Sequence, residues 1–157
     1  MKKTILAAMT ALFMLAAAAV NAAEVATHQE IYANGSNASV PINNDFFTGV
    51  ARMEPLFHDD EISSAYVTFN PGVRTNWHYH PKGQLLIVTY GSGLTQELRQ
   101  PIREIKAGDV IWCPPGVTHW HGGGYKTVMT HLAVTKIADG KTVTWLNKVT
   151  DAEYNGR

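Results

Sequence analysis

The sequence predicts an all-β protein built as one domain, a barrel or sandwich of short strands. Three observations carry that expectation. Past residue 45 the chain breaks into short runs rich in β-branched and aromatic residues, punctuated by Gly, Pro and Asn. Beyond the N-terminal apolar run, no stretch of useful length repeats apolar residues at helical spacing. The roughly 135 residues past residue 22 suffice for one domain with a real core and not for two.

Taken in order, the chain opens with Lys2 and Lys3, an apolar run from Ile5 to Val20, and the small residues of Val20-Asn21-Ala22. Charge, apolar core and small residues in that order read as a secretory signal peptide over residues 1–22, cleaved after Ala22 or Ala23. The alternative reading is an anchoring helix, but the run falls short of the ~20 apolar residues that comfortably span a bilayer. The mature protein is therefore expected to be periplasmic or secreted and free of the membrane. Residues 23–45 are polar, with a turn cluster at Asn34-Gly35-Ser36-Asn37, and read as an irregular N-terminal arm.

Residues 46–149 carry the barrel. Candidate strands are 47–56, 65–69, 76–80, 85–90, 94–98, 102–105, 110–113, 118–121, 127–135 and 143–146. Turn signals separate them at Asn70-Pro71-Gly72, Gly91-Ser92-Gly93, Ala107-Gly108-Asp109 and Pro114-Pro115-Gly116. In the tail, 150–157, Thr150-Asp151-Ala152-Glu153 has capping-box spacing and predicts one helical turn.

Charge narrows the partners. Basic and acidic residues number 13 each; without Lys2 and Lys3 the balance is 11 to 13, a net charge of −2. No basic run or stripe is present, which argues against a nucleic-acid partner. Cys113 is the only cysteine, so no intrachain disulfide can form. It lies in the apolar run Val110-Ile111-Trp112-Cys113, where a packed, inert thiol is expected.

The chemistry concentrates in two clusters. His78-Tyr79-His80 is followed by Gln84, and Pro114-Pro115-Gly116-Val117-Thr118 leads to His119. Alternation along a strand points His78 and His80 one way, about 7 Å apart, and Tyr79 the other. Gln84 and His119 can then arrive from neighbouring strands, forming a candidate site for one divalent transition metal. Gln84 is read as a fourth ligand, or else as a hydrogen-bonding partner of a ligand imidazole or water. Imidazole and oxygen donors suit Mn, Fe, Ni or Zn. Without a carboxylate ligand the ion keeps its full positive charge, which makes it a stronger Lewis acid.

His121, two residues beyond His119, is expected on the same face, and His131 stands in the apolar run 128–134. Beside a cationic metal either can stay neutral and accept a proton, so both are candidate catalytic bases; the alternative is that they orient the ligand imidazoles. Trp77 and Trp120 each precede an inward His and are expected to pack outward, away from the metal.

These motifs carry a resemblance. Gly72-(five)-His78-x-His80-(three)-Gln84-(six)-Gly91 resembles the first cupin motif, and Gly108-(five)-Pro114-x-Gly116-(two)-His119 the second. Gln84 stands where the usual pattern has Glu, and in that respect the chain resembles the small bacterial manganese-dependent cupin hydroxynitrile lyases. The likeness extends to Phe47-Thr48-Gly49, Pro55-Leu56-Phe57, His119-Trp120-His121-Gly122, Met129-Thr130-His131-Leu132-Ala133, Asp139-Gly140-Lys141 and 149–154. It spans residues 44 to 155.

The resemblance implies a jelly-roll barrel whose interior brings the two histidine clusters together. It also implies manganese or iron as the metal, and substrate beside His121 and His131. The expected activity is cleavage or formation of a cyanohydrin-like C–C bond on a small-molecule substrate. A metal-dependent dioxygenase and a non-catalytic periplasmic metal- or anion-binding protein are the alternatives. The arm and the outward aromatics point to a homo-oligomer.

Overall fold

The computed structural model describes residues 28–42 and 45–156. The expected signal peptide and the first residues of the arm lie outside the described residues. The chain divides into Met1–Ile31 and Tyr32–Arg157. Of the former only 28–31 are described, without strand or helix; all that follows concerns the latter.

Twelve strands and one helical turn follow in order: β1 (Val40–Ile42), β2 (Phe47–Thr48), β3 (Ala51–His58), β4 (Ile62–Phe69), β5 (Arg74–Thr75), β6 (His78–Tyr79), β7 (Gln84–Glu97), β8 (Arg103–Lys106), β9 (Val110–Cys113), β10 (His119–Gly123), β11 (Met129–Lys136), β12 (Thr144–Trp145) and α1 (Asp151–Tyr154). All pairings are antiparallel. The path β1-β3-β4-β11-β7-β10-β5-β2 makes a nearly closed barrel, with β8 and β9 added to β7, and β6 and β12 added beside β10. The expected all-β barrel with a C-terminal turn is what the chain forms.

Three local expectations are corrected. Val40–Ile42, within the stretch expected to be irregular, pairs with Ala51–Met53 of β3. The single strand expected over 47–56 is broken at Gly49, whose φ of 85° is left-handed, giving β2 and β3.

The expected turn at Gly91-Ser92-Gly93 is no reversal: β7 runs unbroken from Gln84 to Glu97. Its first half pairs with β9 and β11, its second with β8 and β10, so this one strand joins both sheets. The glycines serve close approach. A Cβ on Gly91 would lie 2.0 Å from the Val128 carbonyl oxygen, and one on Gly93 2.1 Å from that of Gly122. Without side chains, β10 and β11 press against the bend where a larger residue would force them apart.

The interior divides by strand alternation. Met129, His131, Ala133 and Thr135 of β11 are buried, while Thr130, Leu132 and Val134 between them face outward. Trp77 and Trp120 do turn away from the imidazoles, packing with Leu94, Val149 and Tyr154 beneath the C-terminal tail. Thr150 caps α1 in a full capping box, its hydroxyl accepting from the Glu153 N–H while the Glu153 carboxylate accepts from the Thr150 N–H. Arg74 ties the tail down through Asp151 at 2.7 Å. Cys113 is buried, and its thiol is pushed up to about 12 by burial, with Glu97 adding to the effect. The inert thiol expected from sequence follows.

Candidate metal centre

The barrel brings the two clusters together by register. His78 of β6 stands directly opposite His119 of β10, with ring centroids 4.4 Å apart. His80 lies just past β6, and its carbonyl accepts from the N–H groups of Gly83 (3.2 Å) and Gly116 (3.0 Å). The first bond closes the loop after β6 on itself, and the second locks it to the turn after β9. The coordinating nitrogens of His78, His80 and His119 lie within 4.8 Å of one another. Nitrogens bound to one ion at ~2.0–2.2 Å stand at most roughly 4.4 Å apart. The three imidazoles therefore need to draw in slightly to close on one ion.

Hydrogen bonds decide which nitrogens face inward. Nδ1 of His78 donates to the Asn76 carbonyl (2.9 Å), Nδ1 of His80 to Thr142 (2.7 Å), and Nδ1 of His119 to Val117 (2.9 Å). A carbonyl only accepts, so each Nδ1 carries the proton and each Nε2 is left as a bare lone pair. Nε2 of His80, Nε2 of His119 and Oε1 of Gln84 are buried with no hydrogen-bond partner. Acceptors gathered around a point without a donor repel one another and leave their desolvation uncompensated; a cation there resolves both costs. The donor set fits a divalent metal ion.

The imidazoles cannot supply positive charge themselves. Burial holds His78 well below its usual 6.5, and the neighbouring His119 adds to the effect. Burial likewise pushes His80 down to about 4, with the Thr142 carbonyl and the adjacent Gln84 carboxamide opposing. His119 is lowered by burial too. At neutral pH all three are neutral, as ligation requires.

His121 and His131 join the same interior. His121 stacks beside His119 at 5.8 Å and faces His131 at 4.8 Å. His131 is 1 % exposed, and neither of its ring nitrogens has a hydrogen-bond partner; Nδ1 of His121 also has none. Burial pushes His131 down to about 4. Burial, then the neighbouring His131, holds His121 well below the usual range. Both are neutral bases facing a cavity of about 180 Å³.

That cavity is bounded by His78, His80, Gln84, His121 and His131 on its polar side and by Phe47, Val67, Phe69, Ala133 and Trp145 on its apolar side. Among the described residues no Lys, Arg, Asp or Glu lines it. Sequence reasoning singled out all six polar candidates, which the fold gathers in one place. It missed Thr135, which meets Gln84 across the β7–β11 pair and donates no charge that a motif would flag. Its phase was legible: Thr135 follows His131 by four residues on one strand, hence on the same face. Trp145, against His78 at 4.9 Å, carried no such signal.

A barrel of this topology with a three-imidazole interior defines a cupin, and the chain belongs to that family. The cupin domain profile matches residues 65–134. A protein of Granulicella tundricola named (R)-mandelonitrile lyase is 48% identical over 128 residues, covering 80% of this chain and 98% of that protein. A cupin-like protein of Thermotoga maritima superposes with a TM-score of 0.70 at 38% identity, covering 82% of this chain and 96% of that one. A polyketide cyclase of Streptomyces resistomycificus shares the fold with a TM-score of 0.65 at 15% identity, covering 82% and 92%.

Proposed function

We propose that this chain is a metal-dependent lyase of the hydroxynitrile lyase type, cleaving a cyanohydrin into an aldehyde and hydrogen cyanide or running the reverse reaction. One observation carries the reading: a fully buried, neutral His131 with both nitrogens free shares one apolar-walled cavity with His78, His80 and Gln84 of the candidate metal site. The likeness to a protein named (R)-mandelonitrile lyase supports it.

His78, His80, His119 and the Oε1 of Gln84 would hold the ion, manganese or iron by resemblance. Bound there, a divalent ion supplies a Lewis acid for the negative charge that develops as the C–C bond breaks. His131 accepts the substrate hydroxyl proton at its lone-pair nitrogen while the bond to the nitrile carbon breaks. The resulting imidazolium, disfavoured by burial, hands that proton to cyanide, so aldehyde and HCN leave and the ring is neutral again. His121, 4.8 Å away, orients His131 or shares the proton. The apolar wall excludes water and takes the aldehyde's aryl or alkyl substituent.

The test is release of benzaldehyde from mandelonitrile by manganese-loaded protein, in wild type and in His131→Ala. Cleavage by wild type and at least a hundredfold loss in a variant that keeps its metal is the expected result. No cleavage with substrate-dependent O2 uptake would favour an oxygenase, and no turnover with tight anion binding a binding protein.

Export and self-association belong to the same proposal. The residues 1–22 support cleavage by signal peptidase, which an N-terminus at Ala23 or Glu24 would establish by mass spectrometry. Outside the barrel, cross-strand rows Val110–Ile87–Leu132–Tyr66 and Trp112–Leu85–Val134–Ser64 carry no charge, with Val110 63% and Trp112 53% exposed. A second copy can cover such a face without burying an ion. Light scattering should find a homo-oligomer, and a monomer at micromolar concentration rejects it.

A further inference from the structure

We infer that Thr135 is a positioning residue for the metal centre, its hydroxyl holding the Gln84 carboxamide in place beside the imidazoles. The inference rests on the proposed metal site and is independent of the lyase reaction.

Gln84 opens β7 and Thr135 lies directly opposite it on β11. Gln84 Nε2 donates to the Thr135 hydroxyl oxygen at 3.1 Å, and both residues are buried. The bond uses one end of the amide and leaves Oε1 without a partner. A carboxamide has a donor end and an acceptor end of nearly equal shape, so a half-turn about its last torsion exchanges them. Only the oxygen end can bind a cation.

Without an ion, the opposite orientation has the better local partner. His80 Nε2 is a lone pair, because His80 Nδ1 donates to Thr142. A flipped Gln84 would offer that lone pair an N–H, whereas Oε1 offers it a second lone pair. The Thr135 hydroxyl can accept from the amide N–H or donate to the amide oxygen, so it pins where the carboxamide sits, and an arriving ion selects the oxygen end. The carboxamide is thus held beside the imidazoles before an ion arrives, and binding is spared the cost of drawing it into place.

The prediction concerns metal affinity. Thr135→Val keeps the shape and removes the hydroxyl, so the far end of the amide loses its partner and the carboxamide its fixed place. Removing a group that orients a ligand typically weakens metal binding ~10–100-fold. Thr135→Ser restores an oxygen at the same place and should restore affinity.

Manganese binding to metal-free protein is measured by the loss of the free-ion paramagnetic resonance signal in wild type, Thr135→Val and Thr135→Ser. The same substitution is then made in a Gln84→Ala background. A drop of about tenfold or more in Thr135→Val, recovery in Thr135→Ser, and no further effect on Gln84→Ala establish the role. Thr135→Ala repeats the comparison should Thr135→Val not fold. Unchanged affinity in the folded variant, or an equal loss in the Gln84→Ala background, overturns the assignment while leaving the metal site standing. A wild type that binds no manganese overturns both.

Discussion

His121 and His131 face each other across the barrel, one from each sheet, with ring centroids 4.8 Å apart and planes at 80°. Two imidazoles this close inside an apolar wall cannot both become imidazolium, and burial keeps them neutral.

Acid stability of the metal-free protein follows. His131 takes a proton near pH 4 when folded and near its ordinary 6.5 when unfolded. Between those values the unfolded chain binds more protons, so stability rises with pH through the window. It is fully present above pH 6.5 and declines as pH falls toward 4, by about 3 kcal/mol from His131 alone. Urea midpoints from pH 4.5 to 8 should show this slope, and His131→Leu should reduce it while the buried His78, His80, His119 and His121 keep the remainder. A flat wild-type profile would reject neutral burial.

Metal binding should require the triad as a unit. His80→Ala removes one of three converging nitrogens and should abolish stoichiometric metal. Added manganese should raise the melting temperature of wild type and leave that of the variant unchanged, since only an ion bound to the folded state stabilises it. Full occupancy in His80→Ala would sink the site.

Gln84→Glu separates holding the metal from using it. A carboxylate at ~2.2 Å from the ion binds at least as tightly and lowers its Lewis acidity. The expected result is retained manganese with kcat for cyanohydrin cleavage down about tenfold, a loss of roughly 1.4 kcal/mol in the transition state. Wild-type activity in this variant would show that the charge of the site does not govern the rate.

The C-terminal tail is held asymmetrically. Arg74 is buried, with its side chain 5% exposed against 89% for Asp151. Its guanidinium donates to the carbonyls of Val149 (2.8 and 3.2 Å) and Gly72 (3.2 Å) and lies 4.6 Å from the Tyr154 ring centre. Arg74→Met should cost about 2–4 kcal/mol by stranding those carbonyls. Asp151→Asn should cost less than about 1 kcal/mol, because an exposed partner is exchanged for water. Equal losses in denaturant unfolding would reject this division.

Much of the centre was legible before any fold was known. Strand alternation alone put His78 with His80, His119 with His121, and both Trp77 and Trp120 on the other side, because side-chain direction along a strand depends on its own backbone. The capping box at Thr150 and Glu153 is equally local, and it forms. Composition and length confined the chain to one β domain.

Only the tertiary structure decided what depends on distant neighbours. Gly91-Ser92-Gly93 has the composition of a turn, yet Val128 and Gly122 press against it and the strand continues. The protonated nitrogen of each ligand imidazole is set by the carbonyls of Asn76, Thr142 and Val117. The Gln84 carboxamide finds its hydrogen-bond partner in Thr135, 51 residues away in sequence. Local periodicity specifies which face a side chain occupies; what it meets there is set by cross-strand register, which exists only once the strands have paired.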